Sequence, residues 1–331
     1  MYEHYYGLRE RPFELSPNPR FLVLTAQHRE ALSTLEYALA SRKGITVLIG
    51  DAGTGKTTVL RTALDRQRVA DTRCVVVNNP TLTRHEFVHL LAEGFGVHQG
   101  IATSKAAFLQ AFERLLIERA ARGAPTLLVI DEAQSLPNEL LEEIRLLTNI
   151  ETAEQKLLSV VLAGQPELAD RLRQPELRQL KQRVALRCEL RPLTAAETPI
   201  YISQRLRIAG GGAAEALFTQ DAISLIHDRA QGIPRSICVI CDNALVTGFA
   251  TARRPVGIQT VLEVCRDFDF APSARVDEPN DGVPSFGVPR TASQTQTSQL
   301  VPAPHPRSVL SGSTAPRRRF SFFKVRTEST S

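Results

Sequence analysis

Nine residues constrain this chain more than any others. They read GDAGTGKTT (50–58) and follow the apolar run ITVLI (45–49). The stretch satisfies G-x-x-x-x-G-K-[ST] at every required position, with a predicted strand before it and a predicted helix after it. A loop of this kind closes backbone N–H groups around phosphates, and a side chain in place of its glycines would obstruct them. Gly50, Asp51, Ala52, Gly53, Thr54, Gly55, Lys56, Thr57 and Thr58 are therefore the expected binding loop for a nucleoside triphosphate. Lys56 is placed to neutralise the β and γ phosphates, and the Thr57 hydroxyl to ligate Mg²⁺.

A second motif, LLVIDEAQ (127–134), sets two carboxylates at the end of an apolar strand. Asp131 is placed to hold the Mg²⁺ shell. Glu132 is placed to orient and deprotonate an attacking water, a role a hydrolase needs and a nucleotide kinase does not. A further strand ends in AGQPEL (163–168), where Gln165 would sit between the first two motifs and reach the water or γ-phosphate. Arg183, before the last strand, and Arg235, after Gly232-Ile233-Pro234, stand among many other arginines. Spacing alone leaves both open between a site role and an ordinary surface position. No N-K-x-D guanine-reading motif follows the DEAQ strand, so ATP is the expected nucleotide.

The fold class follows from alternation. ITVLIG (45–50), CVVVNN (74–79), PTLLVI (125–130), LLSVVLAG (157–164) and VALRCEL (184–190) read as short strands, with helical patterns such as FLQAFERLLIERAA (108–121) between them. Unbroken apolar strands suit a parallel sheet covered on both faces, so residues 1–191 are expected to form an α/β, doubly wound P-loop domain with an N-terminal extension. From 192 to 269 the strands stop and four helices are expected. The first is capped by a Thr194–Glu197 capping box and stopped by Gly210, Gly211 and Gly212. From Ala271 onward, 27 of 61 residues are Ser, Thr, Pro or Gln, a composition too poor in apolar periodicity to offset ordering entropy. Residues 270–331 are expected to be a disordered tail.

These blocks, in this order, resemble the AAA+ ATPases of the Orc/Cdc6-like branch. YYGLRERPFELSPNPRFLVLTAQHREAL (5–32), VLAGQPEL (161–168), LRQLKQRVALRCELRPLTAAET (177–198) and GIPRSICVICDNAL (232–245) are similar to the ExeA, or general secretion pathway protein A, family over roughly residues 1–268. The resemblance implies an AAA+ core with a small helical lid. It implies that Gln165 takes the sensor-1 place and that Arg183 acts as a finger into the neighbouring subunit's ATP. It also implies that Arg235 is the lid's sensor-2 arginine, and that His28-Arg29-Glu30 belongs to a helix walling the adenine. A homo-oligomer, ring-shaped in one form, is implied as well.

Charge and cysteine content narrow the partners. The chain carries +5 overall, but the tail from Ala271 holds eight basic and four acidic residues, leaving 32 basic against 31 acidic before it. So neutral a body argues against a strongly electrostatic nucleic-acid surface. The expected role is an accessory motor or switch for secretion, pilus or exopolysaccharide export. The alternative is a DNA-linked ATPase of the transposition-helper or initiator-loader kind. Some relatives continue into a membrane-spanning helix and a peptidoglycan-binding domain, and this length fits the short relatives better. No signal-like opening or spanning run is present and the cysteine count is odd, so a cytoplasmic chain with reduced thiols is expected. Peripheral inner-membrane contact through RRRFSFFKVR (Arg317–Arg326) competes with a plain solvated end. Cys238 and Cys241 share a helix face with core residues and are expected to pack rather than bind metal.

Overall fold

The computed structural model describes residues 1–15, 18–21, 23–66, 71–78, 81–97, 104–210 and 217–270. The expected tail, including Arg317–Arg326, lies outside them, as do Gly211 and Gly212. Five strands, β1 (Ile45–Gly50), β2 (Arg73–Val77), β3 (Thr126–Ile130), β4 (Ser159–Gly164) and β5 (Val184–Leu190), form one sheet in the order β2-β3-β4-β1-β5. Every pairing is parallel. The register sets Ile45 opposite Val160, and β5 carries an irregularity between its pairings with Ile45 and Thr46.

Helices α1 (Tyr2–Tyr6) and α2 (Ala26–Ser41) precede the sheet, and α3 (Lys56–Arg66) follows β1. Helices α4 (Arg84–Phe95) and α5 (Lys105–Ala121) lie between β2 and β3. After β3 come α6 (Asn138–Leu147), α7 (Pro166–Arg171) and the short α8 (Arg178–Gln182).

The strand pleat sorts side chains to two faces. Val47, Leu128, Ile130, Val160 and Leu162 enter one core with α4, α5 and α6, while Leu48, Leu127, Val129, Val161 and Ala163 enter another with α2 and α3. Strands β1, β3 and β4 are buried throughout. The outer strands depart from the expectation of two covered faces: β5 exposes Ala185, Arg187 and Glu189 while burying Cys188 and Leu190. An edge strand with α2 over one face leaves the other face to water, and alternation returns.

After β5 the elements among the described residues are helices, α9 (Glu197–Ile208), α10 (Gln220–Ala230), α11 (Pro234–Ala250) and α12 (Ile258–Asp267). The capping box forms just ahead of α9: the Thr194 N–H donates to Glu197 Oε2 at 2.9 Å, and the Glu197 N–H donates back to Thr194 Oγ1 at 3.3 Å. Gly210 stops that helix region with φ +90°.

The N-terminal extension buries its apolar side chains in the helical region rather than in the cores of the sheet domain. Tyr2, Tyr6, Leu8, Phe13, Phe21 and Val23 share one core with Ile202, Leu206, Ile226 and Ile237 of the helical region. Arg205 fastens the two, donating to the Pro12 carbonyl at 2.7 Å and the Glu14 carbonyl at 3.2 Å. Aromatic side chains of this size need a large apolar partner, and the four-helix unit supplies it.

Candidate functional site: a phosphate cradle under a helical lid

Strand order builds the site. β3, β4 and β1 are neighbours and parallel, so Asp131–Glu132, Gln165 and the 50–58 loop emerge side by side at the carboxyl ends of the strands. A cleft of about 230 Å³ opens there. The loop from Ala52 to Thr58 lines it, with Glu132, His28, Arg235 and the apolar side chains Phe21 and Val23.

The loop's geometry depends on its glycines. Gly53 and Gly55 adopt φ +85° and +100°, and a Cβ on Gly53 would come within 2.6 Å of Arg235 Cβ. The first turn of α11 abuts the loop there, with the Arg235 N–H donating to the Gly53 carbonyl at 3.2 Å. Arg235 is exposed, and its side chain lines the cleft mouth. The Lys56 ammonium is folded inward, donating to the Gly50 carbonyl at 2.7 Å and the Asp51 carbonyl at 3.0 Å. Burial pulls its pKa down, against the charges of Glu132, Asp131 and Asp51, which favour the cation.

Thr57 Oγ1 donates to Asp131 Oδ2 at 2.8 Å. Glu132 takes the left-handed backbone at φ 54°, which costs a non-glycine residue about 1–2 kcal/mol. Its Oε2 accepts from Gln134 Nε2 at 2.6 Å and from Gln165 Nε2 at 3.2 Å. Burial raises the Glu132 pKa, but the two amide donors and the Lys56 charge outweigh it and the net shift is downward.

A buried ammonium held by two loop carbonyls, a loop with left-handed glycines and an all-oxygen pair in Thr57 and Asp131 fit a phosphate–Mg²⁺ group.

His28 is the member of the His28-Arg29-Glu30 segment that reaches the cleft. It is buried, with Nδ1 2.7 Å from Thr25 Oγ1 and Nε2 3.2 Å from the Thr54 carbonyl. Arg29 and Glu30 are exposed, and Arg29 donates to the Leu24 carbonyl. Arg183 does not join the cleft. It caps α8 where β5 begins, at the opposite end of the strands from the loop, a separation of about 20 Å for six residues at 3.3 Å each.

Gln134 and the Tyr201–Arg205 pair were not singled out from sequence. Gln134 is the last letter of DEAQ, so its adjacency to Glu132 was the available signal. Nothing in the spacing marks Tyr201 or Arg205, whose side chains line the cleft from α9. Cys238 and Cys241 are buried in the lid core, where desolvation raises both thiol pKa values. No group of residues suited to a metal ion of the His/Cys/Asp/Glu kind occurs among the described residues, and no described helix is long and apolar enough to cross a membrane.

The AAA domain family matches residues 39–172. General secretion pathway protein A of Aeromonas hydrophila is 41% identical over 250 residues, covering 76% of this chain and 45% of that protein. The chain thus spans less than half the length of the curated relative it matches. Among solved structures, Cdc6p of Pyrobaculum aerophilum aligns with a TM-score of 0.60 at 18% identity, over 77% of this chain and 70% of its own. The Aeropyrum pernix ORC2 protein, in ADPNP–ADP complexes, aligns with a TM-score of 0.57 at 18% identity, over 78% and 71%. The fold is therefore that of AAA+ P-loop NTPases, a parallel five-stranded sheet with flanking helices. This chain belongs to the AAA+ ATPases and, across the 250 aligned residues, to their general secretion pathway protein A (ExeA) family.

Proposed function

We propose that this chain binds and hydrolyses ATP with Mg²⁺ as a self-assembling motor or switch serving an envelope export or surface-assembly machine. One observation carries the nucleotide reading: Ala52 to Thr58 of the loop, Glu132 and Arg235 of the lid line a single cleft. Thr57 and Asp131 would hold the Mg²⁺, which when bound supplies positive charge to the phosphate oxygens. Lys56 binds phosphate as a buried point charge. Glu132 orients the attacking water and takes its proton, and Gln165 bonds the water or γ-phosphate. Arg235 stabilises charge from the lid of the same subunit.

The position of Arg183 supports the self-assembly reading. At the far end of the sheet from its own loop, it serves a neighbouring protomer's cleft or none. The export role rests on kinship with general secretion pathway protein A, whose name assigns it to that process. Residence in the cytoplasm, at times against the inner membrane, accords with that role.

Mixing variants tests assembly. Arg183→Ala should bind ATP normally and turn over poorly, and Glu132→Gln should bind without turnover. Combined, they should regain part of the activity, because mixed seams pair an intact finger with an intact cleft. Full turnover by a strict monomer, independent of protein concentration, would refute the assembly reading. Normal turnover by Glu132→Gln would refute the hydrolytic one. Deleting the gene should reduce secreted or surface-assembled polymer; unaltered export would remove the machine proposed.

A further inference from the structure

Gln134 occupies the one-turn 3₁₀ helix Ala133–Ser135 directly after the carboxylate pair, and the hydrolytic reading gives it no role. Its side chain makes two bonds in different directions. Nε2 donates to Glu132 Oε2 at 2.6 Å, and Oε1 accepts the Gln165 backbone N–H at 3.1 Å. Its backbone is held from a third side, where Arg171 Nη1 donates to the Gln134 carbonyl at 2.6 Å while Nη2 donates to Asn138 Oδ1 at 2.5 Å. Gln165 and Arg171 stand at the two ends of α7, so this helix grips the Gln134 turn at both ends. The space is close: a Cβ on Gly164 would come within 2.9 Å of Gln134 Oε1.

We propose that Gln134 is a positioning residue that bolts the Glu132 carboxylate to the start of α7, fixing it through one oxygen so that the other takes the water proton. Two amide donors, from Gln134 and Gln165, converge on Oε2. An oxygen already accepting two N–H bonds has little remaining capacity, which leaves Oε1 as the acceptor. Glu132 stands on a left-handed backbone that does not fix its side chain, so orientation must come from partners. Gln134 supplies the shorter of the two bonds and, by holding the Gln165 N–H, also sets where the second donor begins.

This inference rests on the role given to Glu132, and the test separates the two. Full-length wild type, Gln134→Met, Glu132→Gln and the double variant are compared for ATP turnover, affinity for a fluorescent ATP analogue and melting temperature without nucleotide. Gln134→Met should lose about 10- to 100-fold in kcat, the scale of a small misplacement of a reacting group. Its analogue affinity and melting temperature should stay at wild-type values. In the Glu132→Gln background the same change should do nothing further, because the carboxylate it positions is gone. Should Gln134→Met melt early, Gln134→Asn carries the test, since it keeps the amide but is one methylene short of both partners. Wild-type kcat in these variants, an affinity loss as large as the kcat loss, or an equal further loss in Glu132→Gln would each overturn the proposal. Undiminished turnover in Glu132→Gln would instead sink the hydrolytic role itself.

Discussion

Thr57 Oγ1 donates to Asp131 Oδ2 at 2.8 Å, joining two motifs 74 residues apart in the chain. A hydroxyl and a carboxylate already in contact need little rearrangement to share a hard divalent cation. Thr57→Val should cut the Mg²⁺-dependent gain in ATP affinity by about tenfold or more, the worth of one charge-assisted bond. Affinity without Mg²⁺ should change little. Titrations with and without the metal check this, and an undiminished Mg²⁺ effect would contradict it.

Arg205 is 8% exposed, lies 5.1 Å from the Phe21 ring centroid and bonds the carbonyls of Pro12 and Glu14. Arg205→Met would strip the buried Pro12 carbonyl and the part-exposed Glu14 carbonyl of a charged donor, at a cost of about 2–3 kcal/mol. Urea denaturation should show that loss, and tryptic cleavage at Arg9 and Arg20 should quicken as the N-terminal strap loosens. Unchanged digestion would mean that the aromatic packing alone holds the strap.

Gly232 adopts φ +69°, and a Cβ there would come within 2.1 Å of the Leu193 carbonyl oxygen. Gly232→Ala faces about 1–3 kcal/mol of backbone strain before that clash is relieved. Ile233, Pro234 and Arg235 follow directly, so the lid must shift at the cleft. Lower stability together with weaker nucleotide binding is expected, measured by urea midpoint and analogue titration. A wild-type affinity would show that the lid start tolerates displacement.

Burial lowers the His28 pKa below its ordinary 6.5, despite the opposing bond to the Thr54 carbonyl. The unfolded chain then binds the proton more readily than the folded one. This contribution to stability is complete above about pH 6.5 and falls as pH drops from there toward the folded pKa. His28→Gln should flatten that part of the profile. Urea midpoints from pH 8 to 5 for both proteins provide the check, and parallel curves would exclude His28 as the source.

Much of the fold is legible in the sequence. The ITVLIG and VALRCEL strands fall on β1 and β5 to the residue, and four helices follow as the pattern indicates, because local periodicity and capping chemistry act within a few residues. The phosphate loop is likewise local, its backbone set by its own glycines. The strand order β3-β4-β1 is not local, and it alone brings Asp131, Gln165 and Lys56 to the same end of the sheet. Nor could periodicity show that the first 23 residues bury their aromatic rings in the lid. The grip of α7 on Gln134 and the placement of Arg183 away from its own cleft are settled by the same packing. Short-range preferences write the elements, whereas contacts between residues distant in sequence depend on which apolar faces find each other, and that choice is made only when the whole chain packs.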